Sequence, residues 1–133
     1  MSVRVLAIDD IPAVDPPPEE GLDWRPVRHH LGIRAFGTNA YVGRAEGDLV
    51  IEPHDEDEPE ELYVVVRGVA RFTVDGETFD APAGTLVLVT PPSHRVAYAA
   101  APDTTVLAVG GVPGKANEIS EWETRWLQRG GLL

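Results

Sequence analysis

The sequence predicts an all-β domain, a sandwich or barrel, with an N-terminal arm and one short C-terminal helix. Three observations predict it. From residue 31 onward, short runs rich in Val, Leu, Ile, Thr and Tyr recur between turn residues, the spacing of an antiparallel sheet. No helical pattern of the length that a parallel crossover needs separates them. Finally, 133 residues, 43% of them hydrophobic, suffice for one folded core and one pocket.

Val3–Ile8 reads as a short strand. Asp9 to Pro26 contains Pro12, Pro16, Pro17, Pro18 and Pro26, which cannot sustain a helix or a central strand. Residues 1–32 are therefore expected to be an arm that wraps the domain. Strands are expected over Ile33–Val42, Asp48–Pro53, Leu62–Val66, Ala70–Val74, Thr85–Thr90, Arg95–Ala99 and Thr105–Val109, with Asp75-Gly76 as a hairpin turn. They assign residues 33–112 to the barrel. Residues 113–133 form a loop and helix: Ser120 and Glu123 have capping-box spacing, Gly130 is the stop, and the helix is predicted over Glu121–Gln128. Trp122 and Trp126, four apart, share the face that docks it. The runs Leu62–Val66 and Leu86–Val89 are apolar on both faces, so both sides are expected to be covered, the outer one by the arm or by a second subunit. A homodimer is the expectation.

The net charge of -11 repels a phosphate backbone, which argues against nucleic acid as a partner. No apolar run approaches the roughly 20 residues of a membrane span, and the N-terminus turns acidic at Asp9, so a cytoplasmic protein is expected. There are no cysteines, so any metal must sit on His and carboxylates. The glycines at 110, 111 and 114 lack the lysine-serine ending of a phosphate loop, and no nucleotide cofactor is expected. Ser93-His94 lacks a nucleophile elbow, and His29 and His30 read as surface residues.

Chemistry concentrates between His54 and Gly68. His54 and Glu56 are two apart, so on an extended strand they face the same way. A turn holding Pro59 follows, and Glu61 opens the next strand, able to meet them from across it. Three groups converge whose nitrogen and oxygen donors suit Fe, Mn, Ni or Zn. A carboxylate leading into a buried strand also needs a partner. Asp55, Asp57, Glu58 and Glu60 read as a solvated acidic turn. Asn39 and Tyr41, two apart on a strand, and Tyr63 are candidates to line a pocket.

These residues resemble the cupin superfamily. Its first motif, G-x5-H-x-H-x3,4-E-x6-G, is matched by Gly47, His54, Glu56, Glu61 and Gly68, with Glu56 where a second His is usual and one extra residue after Gly47. Its second motif, G-x5-P-x-G-x2-H-x3-N, is approximated by Gly84, Pro92, His94 and Tyr98. The resemblance implies a double-stranded β-helix (jelly-roll) barrel, commonly dimeric, with a small-molecule ligand and often one divalent metal. The implied ligands are His54, Glu56, Glu61 and His94.

The register of motif two leaves two arrangements. Motif geometry favours an inward His94, with Tyr98 beside it as pocket wall, and a metal-dependent oxygenase, isomerase or cyclase. A strict count from Gly84 instead turns Arg95 inward, where its guanidinium would pair with Glu56 or Glu61 in place of the cation. That arrangement implies a metal-free, non-catalytic small-molecule sensor or binding module.

Overall fold

The computed structural model of the protein describes residues 2–133. Among these residues nine strands form two antiparallel sheets that face one another. One sheet has the order β1 (Trp24–Arg25), β2 (Gly37–Gly43), β9 (Thr104–Gly111), β4 (Glu60–Arg67), β7 (Leu86–Val89). The other has the order β3 (Leu49–Glu56), β8 (Ser93–Ala99), β5 (Val69–Val74), β6 (Glu77–Pro82). Strands that follow one another in sequence often lie in opposite sheets, which is the jelly-roll path. None of the helices in the described residues is long and apolar enough to cross a membrane.

Alternation along the strands builds the core. On β4, Tyr63 and Val65 are buried while Val66 is exposed; on β5, Ala70 and Phe72 are buried. Phe72 pairs with Ala97 across the β5/β8 ladder, so a large side chain stands beside a small one on the inner face. Gly68 joins β4 to β5 at φ +70°, and a Cβ there would come within 2.7 Å of the Thr104 Cα, so only glycine fits.

The arm differs from expectation. Val3–Ile8 makes no strand: Val3 and Val5 are exposed, and a 3-10 turn occupies Ile8–Asp10. Before the barrel lie the two-residue edge strand β1 and a five-residue helix, α1 (Val27–Leu31), which begins just after Pro26. A proline before the first helical residue removes an N–H that would be unpaired there in any case. Ile8, Ile11, Val27 and Leu31 pack over Ala40 and Leu107, so the arm covers the outer face of β2 and β9. It leaves Leu86, Leu88 and Val66 exposed on β7 and β4.

Strand β6 was not anticipated. Its residues are exposed except Ala81, so it carries no apolar alternation to read. The C-terminal helix, α2 (Glu121–Arg129), starts where expected. Ser120 Oγ accepts from the Glu123 N–H at 3.1 Å, but the Glu123 side chain turns away from the cap to meet Arg28. The left-handed stop is Gly131 at φ +75°, not Gly130. Trp122 packs edge-on against Trp24, with ring centroids 4.8 Å apart, and Leu127 is fully buried.

Candidate functional site

A cavity of about 1020 Å³ opens between the sheets at the end where β3 and β4 are joined, and the 112–123 segment and the start of α2 form one of its walls. Asn39, Tyr41 and Tyr63 line it, as do His54, Glu56 and Glu61. The donor atoms of His54, Glu56 and Glu61 lie within 4.8 Å of one another.

Strand register builds this cluster. His54 Nδ1 donates to the Glu52 carbonyl at 2.7 Å, which turns Nε2 toward Glu56 Oε1 and Glu61 Oε1, each 3.3 Å away. Glu61 Oε1 also accepts from Tyr63 OH at 2.9 Å and from Arg95 Nη1 at 3.0 Å. Burial works against charge on His54, but Glu56, Glu61 and the Glu52 carbonyl outweigh it, and the imidazole pKa is pushed up to about 10. Burial likewise works against charge on Glu61. Hydrogen bonds from His54 and Tyr63 and the charge of Arg95 prevail and hold its carboxyl below the ordinary range.

His94 is not part of the cluster, which corrects the favoured arrangement. Its side chain is half exposed and its Nδ1 lies 2.7 Å from Asp55 Oδ1 on the outer surface. The residue paired with His54 across the β3/β8 ladder is Arg95, and directly opposed residues share a face. Packing decides the register. With Arg95 inward, Ala97 and Ala99 follow it inward, and their small volume accommodates Phe72 and the neighbouring core. The opposite register would put the bulky His94, Val96 and Tyr98 there. Tyr98 is accordingly exposed and is no pocket wall. Arg95 is fully buried; it does not line the cavity but lies behind Glu61, with Nη2 on the Ser93 carbonyl at 3.2 Å.

The donor set can be tested against a metal on these contacts. Three donors converge, but the fourth position belongs to a fixed cation whose guanidinium already bonds one of the carboxylates. A divalent ion there would meet an added positive charge where the cupin pattern supplies a neutral imidazole. The residues present do not complete the four-ligand set.

Sequence reasoning missed several cavity residues. Ile51 pairs with Ala97 and His54 with Arg95, so β3 uses three residues where β8 uses two. This bulge lets the sequence neighbours Ile51 and Glu52 both line the cavity. Glu52 Oε2 is buried with no partner among the described residues. Burial raises the Glu52 carboxyl to about 7, against a smaller opposing pull from His54. The only sequence signal for it was one carboxylate beside Val50 and Ile51. Arg28 was missed too: on α1, its Nε meets Glu123 Oε2 at 2.6 Å beside the cavity, with both side chains buried. His29 and His30 are half-buried on the same helix rather than on the surface.

Glu52 makes the fold sensitive to pH. An unfolded carboxyl titrates near 4.5 and the folded one near 7, so as pH rises between them the unfolded chain releases a proton that the folded chain retains. Stability falls across that window, and the full penalty holds above it. Glu52→Gln has no such loss. It is expected to be more stable than the parent at pH 8 by about 3 kcal/mol, and to match it at pH 4; urea titrations at the two pH values check this.

Residues 39–131 match the family model described as the AraC-like ligand binding domain. No curated protein matches the sequence. Among solved structures, the chain is similar to a predicted oxalate decarboxylase from Thermotoga maritima at 16% identity, covering 82% of this chain and 99% of that one with a TM-score of 0.66. It is similar to the plu4264 protein from Photorhabdus luminescens at 19% identity, over 96% and 95% of the two chains, TM-score 0.62. A cupin protein from Bacteroides fragilis matches at 20% identity over 74% and 82%, TM-score 0.53.

Proposed function

Because this chain belongs to the AraC-like ligand-binding domain family, within the cupin superfamily, we propose that it is a metal-free, non-catalytic module that takes up a small organic molecule between its sheets. Arg95 carries this reading. It stands beside His54 where the fourth metal ligand would be, fully buried, and ion-pairs with Glu61. Two inward cations, Arg95 and protonated His54, then balance Glu56 and Glu61, so the cluster holds its charge without a divalent ion. The remaining volume is open to a ligand, and Asn39, Tyr41 and Tyr63 offer it amide, hydroxyl and ring surface.

The convergence of His54, Glu56 and Glu61 favours a second reading, in which these three hold a divalent cation that supplies Lewis-acid or redox chemistry. Metal content separates the two. Protein purified without a histidine tag from cultures supplemented with Fe, Mn, Ni and Zn is expected to carry less than about 0.1 metal per chain, since affinity falls steeply when ligand number and charge are wrong. Stoichiometric metal that disappears in His54→Ala would overturn the metal-free reading.

We further infer that two copies meet over the outer face of β7 and β4. Leu86 and Leu88 are 64% and 60% exposed, and with Val66 they continue the apolar outer face that the arm leaves bare. Light scattering at micromolar concentration is expected to give a dimer mass for the parent and a monomer mass for Leu86→Lys/Leu88→Lys. A parent monomer would refute it.

A further inference from the structure

The cavity has more negative charge than its own cations neutralise, and the excess is greatest at Glu52. Arg28 and Lys115 are the fixed cations on its lining, and each is committed, Arg28 to Glu123 at 2.6 Å and Lys115 to Glu58 at 3.3 Å. Deeper in, Arg95 and His54 serve Glu61, and His54 also reaches Glu56. Glu52 is the carboxylate left over. Glu52 lines the cavity, and its Oε2 is buried without any donor among the described residues, although a buried polar oxygen in a folded protein is nearly always hydrogen-bonded. The exposed Glu19, Glu118 and Glu121 at the rim repel an incoming anion.

Two other features describe what would satisfy it. Tyr41, Tyr63 and Trp122 give the same cavity aromatic walls, the surface that favours a cationic nitrogen over a neutral group of equal size. Asn39 has its amide oxygen taken by Trp24 Nε1 at 2.8 Å, so its NH2 group remains to donate to an oxygen of the ligand. We propose that the ligand is a small organic ammonium compound bearing a hydroxyl or ether oxygen, with Glu52 as the counter-ion that selects it. This rests on the cavity being a ligand site. It adds the ligand's charge class and the residue that reads it.

Matched probes test charge at constant shape. Ethanolamine against ethylene glycol, and cyclohexylamine against cyclohexanol, are titrated into isotope-labelled protein at pH 8 and followed by NMR. The amines are expected to give saturable shifts at Asn39, Tyr41 and Glu52, and the alcohols to bind about tenfold more weakly or worse, the difference that one charged hydrogen bond makes. Glu52→Gln is expected to lose that preference, while Glu46→Gln, outside the cavity, keeps it. Tyr41→Phe provides a second variant whose fold does not depend on Glu52. Equal binding of amines and alcohols, full amine affinity in Glu52→Gln, or no saturable shift with either amine overturns the proposal. If the alcohols bind as well as the amines, the small-molecule reading stands and only the charge class falls. Stoichiometric metal in the purified protein would instead sink the reading beneath it.

Discussion

Arg95→Met is expected to destabilise the protein by about 3–5 kcal/mol, the usual cost of removing one partner from a buried ion pair. The guanidinium is fully buried and its Nη1 sits 3.0 Å from Glu61 Oε1. Methionine fills most of the volume but leaves Glu61 with only His54 and Tyr63, and the Ser93 carbonyl loses its donor. Urea unfolding measures the loss. Arg95→Met/Glu61→Gln should recover much of it, because the uncompensated carboxylate is what costs most. A single variant as stable as the parent would mean that the pair is not buried as described. Arg95→His is the informative companion. It removes the fixed cation and supplies an imidazole opposite His54, so this variant is expected to take up stoichiometric Zn or Ni that the parent leaves in solution.

Arg28→Met is expected to cost a similar amount, about 3–5 kcal/mol, or roughly 10–20 °C in Tm for a domain of this size. Arg28 is the only described residue that ties α1 to α2 by charge: its Nε meets Glu123 at 2.6 Å and its Nη1 donates to the Ile33 carbonyl at 3.1 Å. Without it, Glu123 is a buried carboxylate at the start of a helix whose cap depends on its backbone. Fluorescence should report the same event, since Trp122 leaves Trp24 when the first turn of α2 detaches. A thermal midpoint within 3 °C of the parent would rule this out.

The positions of most strands were readable because the chemistry is local. Val, Ile, Tyr and Thr recur between turn residues, and β2 to β5 and β7 to β9 each overlap a predicted run. Ser120 at the helix start and the spacing of Glu61 and Gly68 were legible for the same reason. Strand β6 was not, because an exposed edge strand needs no apolar face. The cluster of His54, Glu56 and Glu61 followed from spacing across one turn. The choice between His94 and Arg95 did not, because it depends on how β8 packs against Phe72, a residue far away in sequence. Glu52 and the Arg28–Glu123 pair were invisible for a related reason: one depends on a bulge and the other joins residues 95 positions apart.

The bulge in β3 also constrains how such a pocket can change. Point substitution can alter what Ile51 and Glu52 are, but not that both line the cavity, since that follows from a count of residues rather than from their identity. Deleting Pro53 would restore one-to-one pairing with β8 and carry Glu52 to the other face in a single step. Insertion or deletion in β3 is therefore a second route, beside exchange of the side chain itself, by which a relative of this protein would gain or lose the carboxylate in its pocket.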